Sequence, residues 1–283
     1  MARLLVCVTF DFDAMSGLMA RGLTSPNYIS RGEFGPAAIP RILKLLDKYG
    51  VKGTFFSPGF TIETYPAANE AILKAGHEIG HHGWTHLPPN KMTAEQEEAN
   101  LVRGNESVKK LTGRFARGYR SPSWDLSPNT LPLLLKHGFL YESSLMGDDY
   151  TPYRVRQGDV VDVQKPLVFG KPTKLIELPI AWSLDDFPHF EFLRMENQLM
   201  PGLMNANHVM ENWINDFVYM KENFAQESDW GVLTYTVHPY VIGRGHRMMA
   251  FEKLLKACAE GGATFVTMED AAMEYDKRVP YKG

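Results

Sequence analysis

The chain has 283 residues, a net charge of −3, 44% hydrophobic residues and 22% charged residues, which is typical of a globular protein with a substantial core. This charge excludes the basic footprint of a nucleic-acid-binding protein, and no window approaches the ~20 apolar residues of a membrane span. Two cysteines do not make a disulfide framework. Because the first residues enter a strand pattern without a cleavable apolar segment, we expect a cytoplasmic enzyme with neither nucleic-acid nor membrane partners.

The first third of the chain predicts alternating strands and helices. Residues 4–10 are continuously apolar and predict a buried strand that ends at two carboxylates, Asp11 and Asp13. Strand side chains alternate, so both carboxylates are expected on the same side. Residues 16–36 are rich in Gly, Ser and Pro and predict a long loop that forms a wall of the site. The elements predicted next are a helix over 37–49, a strand over 52–57, a helix over 67–75 and a strand over 77–82.

The remainder continues the alternation, with two intervals that resist it. Thr93 and Gln96 form a capping-box pattern that begins a helix to about residue 111. Residues 148–174 predict a loop, and residues 189–205 have no clear assignment. The other predicted strands cover 117–121, 140–144, 175–179, 231–237 and 263–266, and the other predicted helices cover 129–136, 209–224, 251–259 and the segment after Thr267.

This alternation predicts the fold class. Strands alternate with helices along the whole chain, and no break in composition marks a second domain, so we expect one domain over residues 1–283. An α/β fold with a parallel sheet follows, and a barrel suits the length. The polar candidate residues come directly after strands, and the carboxyl ends of barrel strands share one face.

A histidine-rich segment suggests a metal site. His82 and His86 are four residues apart within the run Gly-His-Glu-Ile-Gly-His-His-Gly-Trp-Thr-His. Neutral imidazole is the commonest protein ligand for transition metals, and the strand end at Asp13 offers a carboxylate. We predict a divalent metal held by Asp13, His82 and His86, with Asp11 beside it as a base. The competing interpretation is a pair of surface histidines without a ligand role.

Five short motifs occur in a fixed order. They are Asp11-Phe12-Asp13, His82-Gly83-Trp84-Thr85-His86, Arg120-Ser121-Pro122-Ser123-Trp124, Trp182 with Asp185-Asp186, and Thr234-Tyr235-Thr236-Val237-His238. Together, over about residues 4–270, they resemble the polysaccharide deacetylase (NodB homology, carbohydrate esterase 4) superfamily.

The resemblance implies a distorted (β/α)7-type barrel and a metal-dependent hydrolase of carbon–nitrogen bonds other than peptide bonds. It also implies that Asp13, His82 and His86 are the ligands and that Asp11 is the base. It further assigns Arg120 as the partner of Asp11 and His238 as the acid. Zinc is the favoured metal, while cobalt, nickel, manganese and iron also tolerate this ligand set.

Within the superfamily the chain resembles an intracellular branch more than the secreted chitin-acting enzymes. That branch holds peptidoglycan-deacetylase-like proteins, a metal-independent allantoinase and cyclic imide hydrolases. Two positions depart from the secreted enzymes: Phe12 separates aspartates that are adjacent there, and Ser123 stands where they have an aromatic residue, with Trp124 one position later. The first change affects alignment of the base, and the second changes the wall of the pocket.

Four residues are predicted to contact substrate: Ser123, Trp124, Trp182 and Asp185. Alternatives remain for several side chains. The two tryptophans also fit a core position, while Asp185 and Asp186 fit either the orientation of His238 or a helix cap. The cluster of Arg244, His246 and Arg247 is consistent with an anion site or with a solvated loop.

These features lead to two catalytic hypotheses and one non-catalytic hypothesis. The first is the opening of small cyclic imides or ureides by metal-activated water, because segments 16–36, 148–174 and 183–208 are long enough to roof the site. The alternative is an N-acetyl deacetylase acting on peptidoglycan or a chitin-like polysaccharide. A sugar-binding module without catalysis would require a missing ligand or base, and none is missing. The family resemblance also implies a homo-oligomer, with a small molecule or saccharide as substrate.

Overall fold

A computed structural model describes residues 2–195 and 199–283 of the chain. The strands are β1 (Arg3–Asp11), β2 (Thr54–Ser57), β3 (Glu78–His81), β4 (Gly118–Tyr119), β5 (Tyr141–Glu142), β6 (Tyr153–Gln157), β7 (Lys171–Glu177), β8 (Leu193–Arg194), β9 (Leu199–Met200), β10 (Trp230–Val237) and β11 (Thr264–Phe265). The helices are α1 (Ser16–Ala20), α2 (Pro26–Lys48), α3 (Gly59–Thr64), α4 (Pro66–Lys74), α5 (Ala94–Thr112), α6 (Thr130–Lys136), α7 (Asp186–Phe190), α8 (Ala206–Tyr219), α9 (Ala225–Glu227), α10 (Pro239–Ile242), α11 (Gly245–Glu260) and α12 (Met268–Arg278).

The central sheet is a curled, mostly parallel sheet. Its strand order is β10-β1-β2-β3-β4-β5-β7-β6, and β11 pairs with β1 off this path. Strand β6 runs antiparallel to β7 at the edge, while the other neighbours in this order are parallel. A parallel bridge between Asp185 and Thr236 brings the segment after β7 beside β10. The predicted α/β fold, a distorted (β/α)7-type barrel, is therefore confirmed.

Strand β1 explains how the sheet orients the site. Leu5 and Cys7 belong to a cluster of buried side chains together with Phe56, Tyr141 and Ile176. The alternate residues of β1 pack in a larger cluster with side chains of α2 and α11. Since strand side chains alternate, Asp11 continues the row of Leu5 and Cys7. A buried carboxylate on this row needs a partner, and Arg120, which directly follows β4, is that partner.

The segment 16–36 is helical, and the predicted loop was wrong. It contains α1 and the first part of α2, which continues through Pro36 and Pro40. Its glycines allow close packing: a β-carbon on Gly32 would lie 2.5 Å from the Cα of Met15. Glycine and proline favour turns locally, but tertiary packing outweighs this preference here. Arg21, which directly follows α1, lines the cavity of the site, so the segment still contributes to its wall.

The predicted loop over 148–174 was also wrong in part. It contains β6 and the start of β7, which form an antiparallel pair at the sheet edge. Side chains of β6 are mostly half-buried or exposed, so this strand lacks the apolar run that marks a buried strand. The unassigned interval 189–205 contains the end of α7 and the short pair β8–β9, and residues 196–198 of this interval lie outside the described residues.

The other predicted elements are present with shifted ends, the largest shift being that of α11, which begins at Gly245 instead of residue 251, and α3 and α10 were missed. The capping box at Thr93 and Gln96 is formed in both directions. The last helix is capped by Thr267, whose hydroxyl accepts from the backbone N–H of Asp270. In the described part of the chain, no helix combines the length and the apolar character needed to cross a membrane.

Candidate active site

The three predicted metal ligands converge at the carboxyl ends of β1 and β3. His82 Nε2 lies 3.4 Å from Asp13 Oδ1, and His86 Nε2 lies 3.2 Å from Asp13 Oδ2. The imidazole rings have centroids 4.9 Å apart and are nearly perpendicular. All three side chains are buried, and one donor atom from each lies within 4.8 Å of the others.

The turn after β3 directs both histidines at the same carboxylate. Gly83 adopts φ 69°, and His86 adopts φ 59°, a left-handed conformation that is uncommon for a residue with a side chain. His82 Nδ1 lies 2.8 Å from the carbonyl oxygen of Arg120, which acts as the acceptor for a proton on that nitrogen. In the neutral imidazole this contact leaves Nε2 without a proton and available as a ligand atom.

The unpaired atoms of this cluster fit a divalent cation. His82 Nε2 and Asp13 Oδ1 are buried and have no hydrogen-bond partner among the described residues. Unpaired buried polar atoms are costly, and a cation with nitrogen and oxygen ligands relieves that cost. Burial raises the pKa of Asp13, but His86 and His82 outweigh it and hold that pKa well below its usual range. The carboxylate is therefore in the ionised form that a metal requires.

Asp11 lies beside this cluster and is held by a buried arginine. Arg120 Nη1 donates to Asp11 Oδ1 at 2.8 Å and to Thr9 Oγ1 at 2.8 Å, while its Nε donates to the carbonyl of Ser143. Burial raises the pKa of Asp11, but the guanidinium of Arg120 outweighs it and lowers that pKa. The indole Nε1 of Trp124 lies 3.5 Å from Asp11 Oδ2. Asp11 is therefore an oriented carboxylate with one oxygen beside His82.

His238 forms a second histidine–carboxylate arrangement at the end of β10. Its Nδ1 is 2.8 Å from Asp186 Oδ1, which also accepts from the backbone N–H of His238 at 3.0 Å. Its Nε2 points to the other cluster, 3.7 Å from Asp13 Oδ2. Burial lowers the pKa of His238, but Asp185 and Asp186 outweigh it and raise that pKa to about 10.

The two interpretations of the aspartate pair both describe part of the geometry. Asp186 contacts His238 directly, whereas Asp185 caps α7 by accepting from the backbone N–H of Phe187. Asp185 Oδ1 is 3.5 Å from His238 Nδ1 and therefore adds negative charge. Sequence reasoning did not decide between them, because adjacent carboxylates on a turn differ only in the direction of their side chains.

Backbone strain is concentrated around this site. Of the five non-glycine residues with positive φ in the described ranges, four are Ala14, His86, Ser123 and Trp124, which follow or belong to the motifs above. Such conformations cost free energy and persist where the surrounding packing imposes them. The two consecutive ones, with φ 58° and 55°, set the chain direction at one side of the cavity.

The cavity above these groups has a volume of about 250 Å³. All four residues predicted to contact substrate line it, and Trp124 stacks on Trp182 with ring centroids 4.0 Å apart. Sequence reasoning missed other parts of its lining: Arg21, Phe187, Pro188, Met195 and Met200. Arg21 directly follows α1, Phe187 and Pro188 belong to α7, Met195 follows β8 and Met200 belongs to β9. The sequence predicted a loop or no element at these positions, so no periodic pattern pointed to them.

Other polar residues singled out from the sequence have structural partners. His81 accepts from the backbone N–H of Gly83 and pairs with the carbonyl of Leu101. Arg247 is buried and donates to the carbonyls of Val241 and Phe190, so it joins α10 to α7 instead of solvating a loop.

Comparison with known proteins shows the family of this chain. The sequence pattern of the polysaccharide deacetylase family matches residues 6–141. The chain is 39% identical over 293 aligned positions to a peptidoglycan deacetylase of Helicobacter pylori, covering 99% of this chain and 98% of that protein. This chain belongs to the polysaccharide deacetylase family.

Solved structures support the same fold. A polysaccharide deacetylase structure from Mycobacterium smegmatis, described as putative, superposes with a TM-score of 0.84 at 30% identity, covering 98% of this chain and 91% of the other. The allantoinase Puue superposes with a TM-score of 0.79 at 20% identity, covering 99% and 93%. The family is hydrolytic and acts on amide carbon–nitrogen bonds, so this chain is a hydrolase of that class.

Proposed function

We propose that this protein is a metal-dependent deacetylase that hydrolyses the N-acetyl amide bond of a saccharide of the peptidoglycan type. The observation that carries the proposal is the buried cluster of Asp13, His82 and His86 at the base of a cavity, bordered by the Asp11–Arg120 pair and the His238–Asp186 pair. We assign Asp13, His82 and His86 as metal ligands.

Asp11 is the proposed general base. A bound divalent cation lowers the pKa of water from 15.7 to roughly 7 and polarises the substrate carbonyl. A carboxylate with a lowered pKa is a weak base, so Asp11 depends on that increased acidity of water. Arg120 fixes one oxygen of Asp11 and leaves the other directed to the cluster, 3.8 Å from His82 Nε2. General base catalysis by such a group contributes typically about 10²- to 10⁴-fold.

His238 is the proposed general acid. Amide nitrogen leaves poorly without a proton, and the raised pKa of His238 keeps its imidazole protonated at neutral pH. Asp186 holds Nδ1, so Nε2 carries the proton that faces the cavity near Asp13. The proton therefore starts close to the scissile bond of a substrate whose carbonyl lies at the metal ligands.

The cavity walls suit a ring with apolar faces. Trp182 is 45% exposed, and its stacking on Trp124 offers a flat indole surface at the cavity. Sugar rings present C–H faces that pack on aromatic surfaces while their hydroxyls remain solvated. Ser123 is small, which leaves this surface accessible where secreted relatives carry an aromatic side chain.

One observation favours a second candidate, the opening of cyclic imides or ureides. The cavity of about 250 Å³ is below the roughly 300–1,000 Å³ that is typical of ligand pockets, and α7 with the β8–β9 region covers it. A small planar ring would fit. We rank deacetylation first because a peptidoglycan deacetylase matches 99% of this chain over 98% of its own length.

The test is a comparison of two reactions on one preparation. Purified protein loaded with zinc, and separately with cobalt or nickel, is incubated with peptidoglycan fragments, chitooligosaccharides, succinimide, hydantoin and allantoin. We expect release of acetate from the saccharides. Ring opening of the imides without acetate release would reverse the ranking, and full activity after thorough chelation would remove the metal from the proposal.

A further inference from the structure

Arg21 lies at the mouth of the cavity and connects its walls. It follows α1 directly, and its Nη1 donates to the carbonyl of Gly17 at 2.7 Å. Its Nη2 lies 3.4 Å from Ser123 Oγ, and its guanidinium carbon lies 5.5 Å from the centroid of the Phe187 ring. The guanidinium of Arg21 therefore contacts Gly17, Ser123 and Phe187, which come from three separate parts of the chain.

The charge of Arg21 is not neutralised within the described ranges. No carboxylate oxygen of these residues lies within 4.0 Å of its guanidinium, whereas Arg31 pairs with Glu191 and Arg120 pairs with Asp11. The two contacts of Arg21 go to a neutral carbonyl and a neutral hydroxyl, and because Arg21 is exposed its other N–H groups face the solvent at the cavity mouth. These N–H groups are accessible to a ligand, and a guanidinium binds a carboxylate through two parallel hydrogen bonds.

The same charge lies close to the metal ligands. A β-carbon placed on Gly17 would lie 3.3 Å from Asp13 Oδ2, 3.4 Å from Arg21 Nη1 and 3.5 Å from His86 Cε1. All three groups therefore surround the same small space, which a glycine leaves open. A substrate with its carbonyl at the ligands would place its neighbouring substituents next to Arg21.

The short distance between Arg21 and the ligands restricts what can reach both groups. A β-carbon on Gly17 would lie within 3.5 Å of atoms of Asp13, Arg21 and His86, so these side chains border one narrow space. We therefore expect an anionic group that contacts Arg21 from this space to belong to the same unit as the amide that is hydrolysed.

We propose that the substrate carries a free carboxylate on the same sugar or small-molecule unit as its scissile amide, and that Arg21 binds this carboxylate. This inference rests on the proposed function and narrows its substrate class. An N-acetylated sugar with a carboxylate-bearing ether substituent satisfies both requirements, while a neutral N-acetylated sugar lacks the contact.

The experiment uses ligands that differ only in this charge. Initial rates of acetate release are measured for N-acetylmuramic acid, its methyl ester and N-acetylglucosamine, with wild-type enzyme, Arg21→Gln and Arg21→Lys. Arg3→Gln is the control, because Arg3 is an exposed arginine at the opposite end of β1 from Asp11. A parallel titration of metal-free protein by tryptophan fluorescence measures binding of the three ligands without catalysis, since Trp124 and Trp182 line the cavity.

We expect KM for the acid to be at least about 10-fold lower than KM for its methyl ester in the wild type. Arg21→Gln should remove this difference with little change for the two neutral ligands. Arg21→Lys should retain part of it, because lysine keeps the charge without the planar fork. The same ranking is expected for the dissociation constants, and Arg3→Gln should resemble the wild type.

Two results would overturn the inference: equal KM and equal binding for the acid and the ester, or an equal loss for all three ligands in Arg21→Gln. The second result would mean that Arg21 only supports the loop around Ser123. If no ligand releases acetate but the acid still binds through Arg21, the proposed deacetylation fails while the carboxylate site stands.

Discussion

The protein contains two buried clusters that both consist of aspartate and histidine but differ in their hydrogen bonds. Asp13 with His82 and His86, and His238 with Asp185 and Asp186, both place three potential ligand atoms within 4.8 Å of one another. In the first cluster, His82 Nε2 and Asp13 Oδ1 have no partner in the described part of the chain. In the second, Asp186 Oδ2 also has no partner among the described residues, but Asp186 Oδ1 holds the imidazole and Asp185 caps the start of α7.

This difference shows that composition and proximity do not define a metal site. The second cluster has two carboxylates for one imidazole, so its hydrogen bonds favour an imidazolium that keeps its proton. The first has two imidazoles for one carboxylate, and the backbone carbonyl of Arg120 sets the tautomer of His82. We therefore propose that the first cluster receives a cation and that the second delivers a proton.

The largest effect is expected from removing a ligand of the first cluster. His86→Ala should abolish stable metal binding and lower the rate of acetate release by at least ~10³-fold, because both charge stabilisation and water activation are lost. Metal content by mass spectrometry and acetate release measure the two effects on the same preparation. His81→Ala is not a suitable control because His81 is buried, so exposed His246→Ala serves instead. Wild-type metal content in His86→Ala would contradict the ligand assignment.

Substitution of the imidazole in the second cluster should separate catalysis from metal binding. His238→Gln is expected to reduce kcat by about 10²- to 10⁴-fold, because the leaving nitrogen loses its proton donor. Metal content should remain at the wild-type level, since His238 contributes no ligand in this assignment. Loss of metal in this variant would show that the two clusters share one cation and would remove the distinction between them.

The two aspartates of the second cluster should differ in their effects. Asp186→Asn should lower kcat by roughly 10- to 100-fold, because it removes the carboxylate 2.8 Å from His238 Nδ1. Asp185→Asn should affect kcat less, since asparagine is itself a good N-cap for α7. Pre-steady-state and steady-state rates of both variants, with circular dichroism to check folding, measure this difference. A larger loss in Asp185→Asn would reverse the two roles.

A third buried acidic group contains no histidine, and we expect it to affect the pH dependence of folding stability. Glu142 and Glu177 are paired neighbours on β5 and β7 and are fully buried. Burial raises the pKa of Glu142 from 4.5 to about 8, and burial with the charge of Glu142 raises that of Glu177. Between pH 4.5 and about 8, the folded state therefore binds more protons than the unfolded state. The free energy of unfolding should consequently fall as the pH rises through this range.

Glu142→Gln should reduce this loss of stability by an amount on the order of 1–3 kcal/mol, because glutamine does not ionise. Urea unfolding of the wild type and the variant at pH 5 and pH 8 measures it. Exposed Glu106→Gln should leave the pH dependence unchanged. An identical pH dependence in wild type and Glu142→Gln would mean that this carboxyl is not protonated in the folded state.

Much of the fold was predictable because its signals are local. The apolar run of β1, the capping box at Thr93 and the glycine-bounded helices depend on neighbouring residues and were present as expected. The segment 16–36 was not predictable in this way. Gly32 is a contact point between α2 and the backbone of Met15, and this is a tertiary property that the local pattern does not contain.

The same division applies to the candidate site. Its charged groups and proposed metal ligands, including Asp11, His82 and His238, were identified from short motifs that directly follow strands. The sequence by itself determined which chemistry is present and at which ends of the strands it lies, because strand periodicity and parallel order are local consequences of the residue pattern. Only the tertiary structure decided that Asp186 is the partner of His238 and that Arg21 lies at the cavity mouth, because these contacts join residues far apart in sequence through packing that no local pattern encodes.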